Sequence, residues 1–585
     1  MNTPSSSSEP GGKQTPEALK VTERLNGSGF DLLDAASQGN LASAKALLEQ
    51  GADIESRDQA GKTPLFRAVM SNNPDIVNFL LDAGASVHAR DCDDLTPLHE
   101  ARSQEIVKAL LARGADIEAG DRFQATPLIY ATTIDCLEAV KALLAEGANA
   151  NARDDYHEQA SLHIARSREV AEELLAKGAD IEAWQVSGRT PLSIAAGSEN
   201  LEVFNVLLAA GANIRARDLF RRTPLHRART KEAVQALLER GADIEAKGDD
   251  KGTPLISVVS EMASPKAVKA LLVAGANVHA RNCLGRTPLH NAHSEEVVNE
   301  LLVRGADIEA RDGTGETPLF CAAYLADNPE ALNALLAAGA CVNARSDTGR
   351  TPLHGARSGA IVRELLARGA DIEARNDEQE TPLMCAILNT GNLEVTKAFL
   401  EAGANIEAAD QFQQTPLHHA ASNWRCDLRY MGLLLSEGAN LEAREGITQR
   451  TPLHEAAISF SGKVSGKKVQ LLVAEGANCR AQDWHRSTPL NLAIARIDNM
   501  KALLLATGRF DSIDRDDRPG NFQPQSLKSC ARTSIRSRLV QHRQNTGKPL
   551  SKSVTELDLP KTLEEYLYEP LMKELIHQQR LYFPW

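Results

Sequence analysis

The four residues Thr-Pro-Leu-His recur along this chain at Thr96, Thr223, Thr287, Thr351, Thr415 and Thr451. Weaker copies begin at Thr63, Thr126, Ala160, Thr190, Thr253, Thr317, Thr381 and Thr488, giving fourteen starts between residues 63 and 488. Each copy encodes a helix start. The Thr hydroxyl can cap the helix, and Pro at the first helical position loses no needed donor. Leu begins a buried stripe, and His can hydrogen-bond the Thr of its own or a neighbouring turn. A second apolar stripe follows, as in Val107, Leu110 and Leu111, and Gly114 supplies a left-handed stop. Asp116 to Phe123 must then run out as an extended finger and return. Neither helix of such a pair can bury its apolar face alone, so neighbouring units must stack.

A period near 33 residues, with Thr-Pro-Leu-His and a later Gly-Ala-Asp, resembles the ankyrin repeat. The resemblance implies an all-α ankyrin-repeat solenoid of about 15 repeats. Such a stack is a binding surface and not a reaction vessel. Gly29 to Ala52 lacks the Thr-Pro entry and fits an N-terminal capping repeat. A solenoid also resolves the length of 585 residues, which exceeds one ordinary core. Aromatic residues make up only 4 %, which suits thin helical layers. The formal net charge of -13 argues against general nucleic-acid binding. Nine scattered Cys, never spaced Cys-x-x-Cys, read as reduced thiols of an intracellular protein. A cytoplasmic location is expected, with the nucleus open. No apolar run reaches transmembrane length, no signal-peptide core is evident near Met1, and residues 1–28 read as a disordered leader.

The spacing of the starts is not uniform. Those at 96, 160, 223, 287 and 351 lie 64, 63, 64 and 64 residues apart, and each opens a short repeat of 30 residues. Between them stand repeats of 33 or 34, so the unit is a long–short pair between 63 and 381. The short members lack about three residues between their helices, which predicts a shorter first helix and a tighter turn. Ser103, Ser167, Thr230, Ser294 and Ser358 occupy that turn as N-caps of the second helix. Glu105, Glu169, Glu232 and Glu296 follow where a carboxylate suits the helix dipole. The starts at 415, 451 and 488 are 36 and 37 apart, with extra residues at 423–429 and 459–468.

Two sets of residues are candidates for holding a partner. Arg102, Arg166, Arg229, His293 and Arg357 precede the caps. They either cover the shortened helix end or form a basic row, stepping by roughly 20 Å, that grips an acidic, extended partner. Phe123, Tyr156, Phe220, Phe412 and Trp484 fall three or four residues before a repeat start, at the finger tips. They either anchor a partner or pack on the neighbouring finger. Trp184 lies nearer its finger's base and reads as structural.

Beyond Asp517 the repeat pattern ends. From Pro524 to Leu539, Leu527, Ala531, Ile535 and Leu539 recur every four residues with basic side chains on the other faces, an amphipathic helix. Pro560 then stands at a helix start, with Leu563, Tyr566 and Leu567 behind it. This segment resembles a SOCS box, and the whole chain resembles the ankyrin repeat and SOCS box protein family. Ser526, Leu527, Arg532, Ile535 and Arg536 match the first part of the box. Ala531 stands where the family has Cys, and Cys530 comes one residue early. Leu557, Leu559, Pro560, Leu563, Tyr566 and Leu567 match the second part, with Asp558 in place of a Pro.

The resemblance implies a substrate receptor of a cullin-RING ubiquitin ligase, an adaptor in the ubiquitin-conjugation pathway. Leu527, Ala531 and Ile535 would enter elongin C, which pairs with elongin B. Leu559, Pro560 and Leu563 would meet a cullin of the cullin-5 class, and the repeats would hold an unknown protein substrate. The implied organisation is a leader at 1–28, repeats at 29–517, the SOCS-box-like segment at 518–567 and an apolar tail at 568–585. Two alternatives stay open: an ankyrin scaffold whose terminal helices only close the stack, and an F-box-like adaptor built on Leu559-Pro560. No catalytic, cofactor or metal role is expected. Gly61-Lys62-Thr63 lacks the earlier Gly of a phosphate loop, Gly313-Thr-Gly315 is a tight bend, the His fill the repeat motif, and Asp-Ile-Glu triplets such as Asp116 to Glu118 are finger bases.

Overall fold

The computed structural model describes residues 31–493, apart from 262–263, 326–328, 390–391, 424–425, 427 and 460–461, together with Asn499 and Leu503. The leader, the SOCS-box-like segment and the apolar tail lie outside the described residues. The chain divides into two compact units, Met1–Cys283 and Leu284–Trp585. Each is a stack of helix pairs joined by fingers. Fourteen pairs and the first helix of a fifteenth are described. Among the described residues the only β-pairing is one bridge, Arg153 to Ala160, and no helix is long and apolar enough to cross a membrane.

The Thr-Pro entry works as the residue chemistry requires. Thr126 Oγ1 accepts from Ile129 N at 3.5 Å and Thr190 Oγ1 from Ser193 N at 3.3 Å, with Pro at the first helical position in both. Where His occupies the fourth place it replaces part of the cap. Thr96 N and Thr96 Oγ1 both lie at His99 Nδ1, at 3.0 and 2.9 Å. A backbone N–H can only donate, so Nδ1 accepts and Nε2 carries the proton. His99 Nε2 then donates to Ala125 O of the next repeat at 3.0 Å. The same link runs from His226 to Gly252, His354 to Glu380, His418 to Arg450 and His454 to Ser487. Each His therefore closes its own helix start and ties it to the following repeat.

First helices alternate in length. In the short repeats they span four residues each: Pro97–Glu100, Ser161–Ile164, Pro224–Arg227, Pro288–Asn291 and Pro352–Gly355. Those between them, such as Pro127–Thr133 and Pro318–Tyr324, span six to eight. Second helices keep nine residues in both kinds, as in Gln104–Ala112 and Leu137–Ala145. The compressed turn is closed by the side chains that the sequence indicates. Ser103 Oγ accepts from Ile106 N at 3.4 Å, Thr230 Oγ1 from Ala233 N at 3.1 Å and Ser358 Oγ from Ile361 N at 3.3 Å. The second helix buries Ile106, Val107 and Leu110 completely. Full burial of each is worth about 1.5–3 kcal/mol, so the second helices carry much of the inter-repeat packing. The extra residues after Ser459 lengthen the second helix to thirteen residues, Gly462–Ala474.

The fingers are held in the same repetitive way. The buried Asp121 accepts from Phe123 N at 2.8 Å and Ala125 N at 2.9 Å, and Gln124 takes the left-handed conformation at φ 58° to turn the tip. The Asp-Ile-Glu triplets are confirmed as finger bases. Asp116 Oδ1 accepts from Glu118 N at 3.0 Å, and Glu118 Oε1 accepts from Asn149 N of the next finger at 2.7 Å. Equivalent bonds join Glu182 to Asn213, Glu373 to Asn405 and Glu407 to Asn440.

Candidate protein-interaction surface

The finger tips form a ladder. In the first unit Asp155 N donates to Phe123 O at 2.7 Å, Val186 N to His157 O at 2.9 Å, Leu219 N to Ser187 O at 3.1 Å and Asp249 N to Phe220 O at 2.9 Å. Successive tips are therefore fixed side by side, and their outward side chains make a continuous edge. That edge carries Phe123, Tyr156, Val186, Leu219 and Phe220, all exposed. Phe123 and Tyr156 touch, with ring centroids 5.7 Å apart, so part of this pair packs finger on finger. Arg122 and Arg222 lie over the Phe123 and Phe220 rings at 4.8 and 5.0 Å. The outer ring faces stay open to solvent, with Tyr156 68 % exposed.

Trp184 corrects its sequence reading. It is 56 % exposed, and its ring is covered on one side by Arg153 of the preceding finger at 4.9 Å. With more than half of the residue exposed, the ring adds to the exposed surface.

In the second unit Leu284 is exposed at the first tip, the middle fingers are polar at Thr314, Thr348 and Glu378, and among the described residues apolar tips return at Phe412, Ile447 and Trp484. Trp484 is 74 % exposed. A polar groove of about 650 Å³ opens beside these middle fingers, with Arg350, Asp377, Glu378, Glu380 and Asn423 in its wall.

The residues before the second-helix caps divide into two kinds. Arg102, Arg166 and Arg229 are exposed. Arg357 is half-buried, its guanidinium 3.5 Å from the centre of the Tyr324 ring, and there it covers the helix end. His293 is half-buried too, and burial pushes its pKa down. These residues stand at the end of the first helix away from the finger, so the structure does not bring them together with the tip aromatics. Of the sequence candidates, Leu527, Ala531, Ile535, Leu559, Pro560 and Leu563 lie outside the described residues.

Sequence reasoning missed a column of charge on the first-helix face. Lys62 Nζ pairs with Asp91 at 3.6 Å and Glu100 at 3.1 Å in the next repeat. Arg222 and Arg227 meet Glu261, and Arg286 meets Asp312 at 3.2 Å and Glu316 at 3.6 Å. The signal was present in the residue just before each start, which is basic at Lys62, Arg189, Arg222, Arg286, Arg350 and Arg450. One of these clusters brings ligand atoms of Asp312, Glu316 and Cys321 within 4.8 Å of one another. Burial raises the Glu316 carboxyl and pushes the Cys321 thiol up to about 12. With a neutral thiol and the Arg286 cation already on both carboxylates, the group is an ion-pair network and a poor metal ligand set.

The comparisons agree with this geometry. The ankyrin repeats family model matches in overlapping blocks running from residues 32–121 to 356–445, and the SOCS box model matches residues 523–568. Human ankyrin repeat and SOCS box protein 3 is 34 % identical over 177 residues, covering 29 % of this chain and 34 % of its own length. The Bos taurus protein of the same name is 33 % identical over 171 residues, covering 28 % and 33 %. The chain thus spans about a third of the length of these curated relatives. The crystal structure of the human ASB11 ankyrin repeat domain is 28 % identical, with 36 % of this chain and 98 % of that chain covered at a TM-score of 0.33. Repeats that fill more than half of the sequence, followed by a matched SOCS box, place this chain in the ankyrin repeat and SOCS box protein family.

Proposed function

We propose that this protein is a non-catalytic substrate receptor of an elongin–cullin-RING ubiquitin ligase. The observation that carries the reading is the SOCS box at 523–568 joined to a long ankyrin stack. A box of this kind is a docking element, and the stack offers the extended recognition surface. In this reading Leu527, Ala531 and Ile535 enter elongin C. Ala531 fills the place of a Cys with less apolar area, which weakens anchoring. Leu559, Pro560 and Leu563 meet a cullin of the cullin-5 class, and the exposed finger tips Phe123, Tyr156, Phe220, Phe412 and Trp484 contact the substrate, with Arg102, Arg166 and Arg229 along a second edge. The domain limits follow: repeats to about 517, box to 567, and a tail at 568–585.

Affinity purification of the full chain followed by mass spectrometry tests the proposal. Elongin B, elongin C and a cullin should copurify. Leu559→Asp combined with Pro560→Ala should lose the cullin and keep both elongins. Recovery of a different cullin adaptor, or of no ligase component, would replace this reading with the F-box-like or the scaffold one.

A further inference from the structure

On the first-helix face of the first unit, three guanidiniums gather with too few anions. Arg189 and Arg222 immediately precede Thr190 and Thr223, and Arg227 ends the short helix Pro224–Arg227. Arg222 Nε lies 3.2 Å from Asp218 Oδ2, and its terminal nitrogen lies 3.1 Å from Glu261 Oε1. Arg227 reaches the same Glu261 oxygen at 3.5 Å. Asp218 is already occupied within its own finger, where its Oδ1 accepts from Phe220 N at 2.9 Å and Arg222 N at 2.8 Å, and its side chain is fully buried. Asp218 and Glu261 are thus the two carboxylates that the described residues set against these three cations. The Nε atoms of Arg189 and Arg227 are shielded from solvent and have no acceptor. Buried donors left unpaired are unfavourable, so an acceptor supplied to this cluster would be held firmly. Burial also holds the Arg227 pKa below its ordinary value; Glu261 opposes this, while Arg189 and Arg222 push the same way as burial.

The finger edge stands next to this cluster. Arg222 belongs to both, since its guanidinium lies 5.0 Å from the centre of the Phe220 ring. Phe220 and Leu219 are 54 % and 67 % exposed. A partner's anion placed between the arginines would therefore have a large apolar surface within one to three residues of extended chain, at about 3.3 Å per residue.

We propose that this face grips a protein segment carrying a carboxylate or phosphate one to three residues from a large apolar side chain, with the anion on Arg189, Arg222 and Arg227 and the apolar group on Leu219 and Phe220. Planar guanidiniums recognise either anion through paired N–H donors, and their effect is strongest where water is excluded. The inference rests on the reading of the repeats as the substrate-holding part of the receptor, and it narrows that substrate to acidic–apolar segments.

The test is selection from a random peptide library displayed on phage, with the immobilised full chain as bait. Wild-type protein should enrich peptides with Asp or Glu one to three residues from Phe, Leu or Trp. Replacing that acid by phosphoserine in a synthetic copy should keep binding within about tenfold, and replacing it by Lys should abolish binding. Arg189→Glu should remove the acidic preference while the protein keeps a single cooperative thermal transition, because a carboxylate at this position meets the cations of Arg222 and Arg227. Phe220→Ser at the exposed tip should remove the apolar preference and keep the acidic one. No enrichment, enrichment of basic or purely apolar peptides, or the same consensus on Arg189→Glu would overturn the proposal. Elongin capture, measured on the same protein, separates the two readings. Capture without the peptide consensus sinks only this site, and the consensus without capture sinks only the ligase role.

Discussion

At the scale of single residues, the fold depends on uncharged histidine. His354 is representative: Nδ1 accepts from Thr351 N at 3.0 Å, and Nε2 donates to Glu380 O at 3.2 Å. Protonation at Nδ1 would turn an acceptor into a donor facing another donor. Burial, with Arg350 and Arg345 nearby, pushes the His354 pKa down to about 4, and burial pushes His99, His226, His418 and His454 down as well. The unfolded value is about 6.5. Since the folded pKa is the lower, the stabilisation is complete above about 6.5 and is lost as pH falls toward 4. Denaturation midpoints measured from pH 7.5 to 4.5 should therefore decline below about 6.5; a flat profile would contradict the assigned tautomer. The caps of the compressed turns make a second residue-scale prediction. Ser103→Ala removes the acceptor for Ile106 N and should cost about 0.5–2 kcal/mol. An unchanged urea midpoint would show that Ser103 does not cap.

At the scale of elements, the alternation of first helices was legible because deletion of about three residues leaves one place to shorten the pair. The core stripe on the second helix is needed for stacking, and the Thr-Pro start is fixed by the finger. The loss therefore falls on the first helix and its turn, as in Pro97–Glu100 beside Pro127–Thr133. The charge column was less legible. Arg222 and Glu261 are 39 residues apart and meet only through stacking of consecutive repeats. Trp184 misled for a related reason: position in a finger does not tell whether the next finger offers anything to cover a ring. Lys468 was also unforeseen. It is fully buried in the long helix Gly462–Ala474, and Nζ donates to Ala420 O at 2.7 Å and Asn423 O at 2.6 Å, at the end of the preceding repeat's helix Pro416–Ser422. A cation suits those carbonyls and the helix dipole. Lys468→Met keeps the apolar stem and strips the cap, so it should cost about 1–3 kcal/mol. Hydrogen exchange near Ala420 to Asn423 should accelerate, and unchanged protection there would contradict the capping role.

At the scale of the whole molecule, repeat type and family were readable because one short motif is copied many times, and copying averages out local exceptions such as Ala160 and Thr488. The exposed surface was only half readable. Exposed tip aromatics followed from their place before each start, whereas the arginine cluster around Arg227 exists only once repeats are stacked. The two kinds of surface also differ in how they vary: stacking bonds recur along the repeats, while exposed side chains change from tip to tip. The central claim is that the stack is joined to a ligase through its C-terminal box, and the most direct test is binding of purified elongin B–elongin C to the full chain. Wild-type protein should capture the pair at micromolar concentration. Leu527→Asp should abolish capture, because a buried Leu of this kind contributes roughly 1.5–3 kcal/mol and an unpaired carboxylate in its place cannot be desolvated cheaply. Absence of wild-type capture, or normal capture by Leu527→Asp, would contradict the account.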